Sequence, residues 1–364
     1  MRAIISGGGT GGHIFPALAI AEALVKEDKD IEILFVGAKG KMEMERVPAA
    51  GYPIEGLWIS GFQRKSSLKN WLFPLKLLVS MGQAVRIILR FRPDVIIGVG
   101  GFASGPIMEA GYRMGKPIVI QEQNSWPGVT NRLLAKKAKR ICVAFDGMER
   151  FFPKERIILT GNPVRASIVN SGITREEALS HFGLSTDKKT IVVIGGSLGA
   201  RTINRALAAG SALIAEHARE VQILWQTGKL YVDEFHHSET ALLDNVRATA
   251  FIDRMDMAYK MADLVISRAG ALSISEIALT GKPSILVPSP NVAEDHQFKN
   301  ALNLVQREAA SLVKDSEAVQ LLIPKALEAV YDERLLAKWS TNVRQLGKPD
   351  AAKRIAQTIK SLVP

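Results

Sequence analysis

Cysteine is almost missing from this chain. Cys142 stands alone, so no internal disulfide can close and a cysteine-rich zinc cluster is excluded. Thiol poverty of this kind points to a reducing compartment. No run of about 18 uninterrupted apolar residues occurs, so no helical segment is expected to span a bilayer. The opening Met1-Arg2-Ala3-Ile4-Ile5-Ser6 turns to glycine too soon for the apolar core of a secretory signal. Compositional bias is lacking too: 47% of the 364 residues are hydrophobic and 23% charged, which disfavours disorder and fibrous repeats. A chain of this length predicts two domains of a soluble cytoplasmic protein.

Acidic residues are scarce in one region. Formal net charge is +11, and between Gly61 and Arg140 14 Lys and Arg face only Asp94, Glu109 and Glu122, so that segment carries the whole excess. A localised basic surface implies an anionic partner: nucleic acid, a phosphorylated ligand or an acidic membrane. Helix-turn-helix, RNA-binding and zinc signatures are absent, so no nucleic-acid partner is expected. Metal signals are equally poor. Asp28-Lys29-Asp30 has the D-x-D form but falls in a helix-to-strand turn, where a solvated turn is the better reading, and no metal is expected.

What is present is a regular alternation. Candidate strands at Arg2–Ser6, Ile31–Val36, Asp94–Val99, Pro117–Gln121 and Arg140–Phe145 are followed by Thr190–Gly195, Val221–Thr227, Val246–Ile252, Asp263–Ser267 and Pro283–Val287. Unalternated apolar runs of this length fit strands buried on both faces, and the helical stretches between them imply parallel sheets with right-handed crossovers. The series restarts after Gly161-Asn162-Pro163, which reads as a hinge. The expected fold is α/β: two doubly wound, Rossmann-like domains facing across a cleft, with ligands outside the carboxyl ends of the strands. Boundaries are expected at 1–163 and 164–340, with a basic helical tail, 341–364, that crosses back onto the first domain.

Three strand-to-helix junctions carry the chemistry. Gly7-Gly8-Gly9-Thr10-Gly11-Gly12-His13 precedes a helix expected over Pro16–Val25, so its backbone can approach a ligand beside a helix N-terminus that attracts anions. Gly7, Gly9 and Gly12 satisfy the dinucleotide pattern literally, but Val36-Gly37-Ala38-Lys39 stands where the ribose-binding acid belongs. His13, beside that loop, is either structural or a proton-transfer group suited to neutral pH. Gly195-Gly196-Ser197-Leu198-Gly199 matches a hydrolase nucleophile elbow, for which Asp263 and His296 could serve as partners. It reads better as a second phosphate loop with Ser197 as a hydroxyl donor. At Gly270–Glu276, Ser273 and Glu276 have capping-box spacing. The alternative is that amides near Ala271–Ser273 face a diphosphate while Glu276 accepts the hydroxyls of a ribose.

Taken in order, Gly8–His13, Gly100-Gly101-Phe102-Ala103-Ser104-Gly105-Pro106, Gln121-Glu122-Gln123-Asn124, Gly161-Asn162-Pro163-Val164-Arg165, Gly195–Gly199, Gly270–Glu276 and His296-Gln297 resemble the MurG-like family of bacterial peptidoglycan glycosyltransferases over nearly the full length. The resemblance implies the GT-B architecture. It also implies inverting transfer of N-acetylglucosamine from UDP-GlcNAc to the muramoyl 4-hydroxyl of lipid I, giving lipid II without metal or cofactor. By the same resemblance Thr10, Gly11 and Gly12 lie near the donor sugar and its phosphates, and Asn124 and Gln297 contact the sugar. Arg165 and Ser197 meet the diphosphate, Ile252 the uracil, and Ala271, Leu272, Ser273, Ile274, Ser275 and Glu276 the diphosphate and ribose. His13 is the expected base, with Glu122 as second choice. Phe102 departs from the tyrosine of some members. A UDP-GlcNAc 2-epimerase on the same architecture is the alternative.

The lipid acceptor implies a peripheral enzyme on the cytoplasmic face of the inner membrane. Trp71, Leu72, Phe73, Leu75 and Lys76 open an acid-free stretch that continues to Arg86, Arg90 and Arg92. They are expected to form an interfacial patch on anionic lipid.

Overall fold

A computed structural model of the chain describes residues 1–9, 11–61, 72–165, 168, 172–196, 198–292 and 295–363. It divides into two compact units, Met1–Arg165 with Lys348–Pro364, and Ala166–Gly347.

Unit 1 is built on a seven-stranded parallel sheet. Its strands are β1 (Arg2–Ser6), β2 (Glu32–Ala38), β3 (Ile54–Leu57), β4 (Val95–Gly98), β5 (Ile118–Glu122), β6 (Arg140–Val143) and β7 (Ile157–Leu159), in the order β3-β2-β1-β4-β5-β6-β7. Successive side chains face opposite sides of a sheet, so a strand covered on both faces must be apolar throughout. Ile4, Leu34, Ile96 and Ile120 enter one core, over which the helices Phe73–Phe91 and Ser104–Arg113 pack. Ile5, Phe35, Ile97 and Val119 enter the other, closed by the helix Gly11–Glu27 and by Ile355, Ala356 and Ile359 of the C-terminal helix Ala351–Lys360. Cys142 lies in that second core, where burial pushes its thiol pKa up to about 12.

The return to unit 1 falls at Lys348 rather than near Thr341. Residues 341–345 complete the helix Glu333–Gln345, whose Trp339 is buried in the unit 2 core and whose Ser340 donates to the Gly281 carbonyl at 2.7 Å. Gly161-Asn162-Pro163, expected as a hinge, is fixed inside unit 1. The Asn162 amide accepts from Gln121 at 3.1 Å and donates to the Gln123 carbonyl at 3.0 Å.

Unit 2 has six parallel strands: β8 (Lys189–Ile194), β9 (Val221–Gln226), β10 (Val246–Thr249), β11 (Leu264–Ser267), β12 (Ser284–Leu286) and β13 (Ser311–Leu312), in the order β10-β9-β8-β11-β12-β13. Trp225 is its largest fully buried side chain, and its indole N–H donates to Asn204 at 3.0 Å. The loops after β8 and β9 cross backbone to backbone. A Cβ on Gly228 would stand 2.1 Å from the Gly199 Cα, and both glycines have left-handed φ, +87° and +92°. Gly228→Ala combines overpacking with left-handed strain and is expected to cost roughly 2–5 kcal/mol. Urea unfolding followed by far-UV circular dichroism measures it, and a change below 1 kcal/mol would contradict this packing.

Candidate active site

Because all strands within a sheet are parallel, their carboxyl ends share one edge. Strand order reverses between β1 and β4 in unit 1 and between β8 and β11 in unit 2, the positions at which open α/β sheets bind ligands. Gly7–Gly12 follows β1, Gly100–Ser104 follows β4, Gly195–Gly199 follows β8, and Gly270 follows β11. Among the expected site residues in unit 1, His13, Glu122, Asn124 and Arg165 lie at or beyond the carboxyl ends of β1, β5 and β7. In unit 2, Ile252, Ala271–Glu276 and Gln297 lie beyond those of β10, β11 and β12. Thr10, Ser197 and Trp71 lie outside the described residues.

The first glycine loop is shaped largely by the protein itself. A Cβ on Gly7 would meet Val99 at 2.1 Å, one on Gly8 would meet Glu43 at 2.1 Å, and Gly9 has φ +87°. Glu43, which is 1% exposed, accepts the Gly9 N–H and the Ala38 N–H, each at 3.0 Å. A carboxylate does lie close to the end of β2, but it comes from the following helix and is turned onto the chain's own amides. The helix begins at Gly11, five residues before the expected start, so Gly11, Gly12 and His13 form its first turn. The His13 ring packs on Gly100: a Cβ there would lie 3.0 Å from Cδ2 and Nε2.

Glu122 ends β5 in a fully buried position, 2% exposed. One oxygen accepts the backbone and side-chain N–H groups of Asn124 at 3.0 and 3.3 Å. The other accepts from Gly128 N–H at 3.1 Å and Asn131 Nδ2 at 2.8 Å. Burial raises its pKa, and these four donors pull in the opposite direction. Arg165 holds its guanidinium 4.9 Å from the Phe15 ring centroid, a cation–π contact on the His13 helix.

In unit 2 a neutral side chain ties the loops. Gln226, 2% exposed, donates to the Gly196 carbonyl at 2.8 Å and accepts the Ile252 N–H at 3.0 Å. The capping box expected at Ser273 and Glu276 does not form, because Gly270 is the N-cap of the helix Ala271–Thr280 and Ser273 falls within its first turn. Glu276 instead accepts the hydroxyl of buried Tyr259 at 3.0 Å, and Gln297 accepts the Ser289 N–H at 2.9 Å. The hydrolase elbow lacks its acid. Asp263 pairs with Arg175 at 2.8 Å and accepts the Thr190 N–H at 2.7 Å, at the amino edge of the sheet, opposite the Gly195–Gly199 loop.

Comparison with known proteins agrees with two α/β domains of this kind. The glycosyltransferase family 28 N-terminal domain matches residues 3–143 and its C-terminal domain residues 190–355. A protein of Bacteroides fragilis named UDP-N-acetylglucosamine–N-acetylmuramyl-(pentapeptide) pyrophosphoryl-undecaprenol N-acetylglucosamine transferase is 55% identical, over 100% of this chain and 96% of its own length. The chain belongs to glycosyltransferase family 28. A relative from Christiangramia forsetii with the same name is 48% identical over 100% of this chain and 98% of its own. The crystal structure of Acinetobacter baumannii MurG superposes with a TM-score of 0.75 at 28% identity, covering 99% of both chains. A UDP-GlcNAc 2-epimerase from Neisseria meningitidis, bound to UDP-GlcNAc, shares the fold with a TM-score of 0.69 at 14% identity, over 99% of this chain and 100% of its own.

In this family 28 chain the described part of the basic segment contributes to two surfaces of unit 1. Along the helix Phe73–Phe91, Leu75, Leu78, Val85 and Leu89 form an exposed apolar stripe, with Leu78 the most open at 72%. Leu72 is exposed as well, whereas Phe73, expected in the patch, packs against the core. Lys76 donates to Ser60 at 3.0 Å and lies over Trp58. At the amino edge of the sheet, Lys116, Lys136, Lys137, Lys139, Arg140 and Arg156 line a cavity of about 480 Å³ with Glu155 as its one acid. Among the described residues no helix is long and apolar enough to cross a membrane, and no group of three or more His, Cys, Asp or Glu is gathered as metal ligands would be.

Sequence reasoning missed Glu43, Gln226 and Tyr259, none of which belongs to a local motif. The raised pKa of Glu122 gives a pH signature. The folded state holds this proton above the unfolded value, so stability falls as pH rises from about 4.5 through the folded pKa. Urea unfolding of the native chain and of Glu122→Gln across pH 4.5–7.5 is expected to show the difference moving towards the variant as pH rises. A difference that moves the other way contradicts the assigned shift.

Proposed function

We propose that this chain transfers N-acetylglucosamine from UDP-N-acetylglucosamine to the 4-hydroxyl of the N-acetylmuramyl residue of lipid I, giving lipid II with inversion at the anomeric carbon. The observation that carries this reading is identity of 48–55% across the whole chain with relatives named for that transfer. The epimerases resemble it in fold alone, at 14% identity in the complex with UDP-GlcNAc.

Unit 2 takes the donor and unit 1 the acceptor. As the bond from the anomeric carbon to UDP breaks, negative charge grows on the diphosphate. Backbone N–H groups at the start of the helix Ala271–Thr280 and in the Gly195–Gly199 loop are the donors that meet it, together with Arg165. Amides and one guanidinium thus stabilise the leaving group, and Ser197 adds a hydroxyl. Glu276, held by Tyr259, accepts from the ribose, the backbone at Ile252 meets the uracil, and Asn124 and Gln297 orient the donor sugar beside Thr10, Gly11 and Gly12. His13 removes the acceptor's proton as the new glycosidic bond forms. Glu122, buried with both oxygens engaged, orients Asn124 instead of serving as a base.

Incubation with labelled UDP-GlcNAc and a soluble lipid I analogue is expected to yield one disaccharide product per UDP, and no sugar chemistry without the acceptor. Epimerised sugar in the absence of acceptor would overturn the reading. Chelators should leave the rate unchanged. His13→Ala is expected to slow turnover by ~10²–10⁴-fold with UDP affinity preserved, whereas turnover within a few-fold of the native chain removes His13 as the base.

Unit 1 docks peripherally on the cytoplasmic face of the inner membrane through Leu72, Leu75 and the stripe ending at Leu89. Surrounding cations add ~1 kcal/mol each near anionic lipid. Flotation with phosphatidylglycerol vesicles should exceed that with phosphatidylcholine, and Leu75→Glu with Leu78→Glu should reduce both. Equal binding to the two lipids eliminates the electrostatic contribution.

A further inference from the structure

We propose that Glu43 holds the first glycine loop in its transfer-competent form, as a positioning residue that acts through the Gly9 N–H on the helix turn carrying His13. The inference rests on the transferase reading above. Glu43 opens the helix Glu43–Ala49, far along the chain from the loop it serves, and Val47 of the same helix is buried at 1% exposure. Its two oxygens accept Gly9 N–H and Ala38 N–H at 3.0 Å each, which ties the loop after β1 to the end of β2. Space for the carboxylate exists only because two neighbours lack side chains: a Cβ on Gly8 would lie 2.1 Å from Oε1, and one on Gly37 2.5 Å from Cγ. From the other side, a Cβ on Gly101 would stand 2.5 Å from the Gly8 carbonyl oxygen. The loop is therefore gripped between Glu43 and the turn that supports His13.

A plain turn needs neither a buried charge nor glycines cleared to admit it. What a carboxylate adds is two short-range acceptors in fixed positions, so the loop has one conformation before substrate arrives. Such preorganisation acts on the chemical step more than on donor affinity.

Glu43→Gln tests this with little change of volume. It leaves one accepting oxygen and turns an NH₂ group towards the other backbone donor. Its kcat is expected to fall at least tenfold, with KM for UDP-GlcNAc and Kd for UDP within twofold of the native values. Val47→Ala is the matched control: it lowers the melting temperature by loosening the same helix, and should keep kcat within twofold. A kcat for Glu43→Gln within twofold of native overturns the inference, as does an equal loss in Val47→Ala. If Glu43→Gln does not fold, Glu43→Asp, too short to reach both amides, is read by the same measurements and limits. An active native chain beside an equally active variant sinks only the role of Glu43. A native chain that transfers nothing sinks the functional reading and this inference with it.

Discussion

A polar side chain buried beneath a loop can satisfy itself on the backbone of that loop, and three groups of loops in this protein are held in this way. Glu43 accepts from Gly9, Glu122 from Asn124 and Gly128, while Gln226 links the Gly196 carbonyl to the Ile252 amide. An unpaired buried carboxylate or amide is costly, so these contacts constrain the loops as strongly as the loops satisfy the side chains. The glycines follow from the same requirement. Gly8 and Gly37 admit a carboxylate, and Gly199 and Gly228 let two loops cross at backbone distance. Glycine enrichment that looks like preparation for a ligand is thus partly preparation for the protein's own interior.

Charge is distributed with a similar division of labour. In unit 1 the carboxyl edge of the sheet contains buried acids engaged by amides, whereas the amino edge gathers cations around an open cavity. One of those cations is already compensated: Lys137, hydrogen-bonded to Glu109, is the main reason that carboxylate sits below its ordinary range, and Arg113 adds to the effect. Arg156 is paired as well, with Glu155 at 3.9 Å, and Lys116, Lys136, Lys139 and Arg140 leave the rim of that cavity positive.

Strands buried on both faces were legible because their composition cannot be anything else: Ile4 and Ile5 face different cores, and both must be apolar. The edge strands β3, β7 and β13 left no such mark. Ile54-Glu55-Gly56-Leu57 is only half covered, and Ser311-Leu312 is two residues long. The start of the His13 helix was hidden by glycines, whose propensity argues against helix where tertiary contacts impose one. Ser273 and Glu276 carried a misleading spacing, since the cap is set three residues earlier by Gly270. Glu43 could not be read locally at all. It reaches Gly9 across 34 positions of sequence, and only the pairing of β1 with β2 brings the two together.

Cys142 has a practical corollary. Its thiol is sealed in the interior with a pKa pushed up to about 12, so almost no thiolate exists at neutral pH to meet a maleimide or an iodoacetamide. The native chain is therefore already a silent background for site-directed labelling. A spin label or fluorophore attached at any engineered surface cysteine would report from that place alone, with no native residue to be removed first.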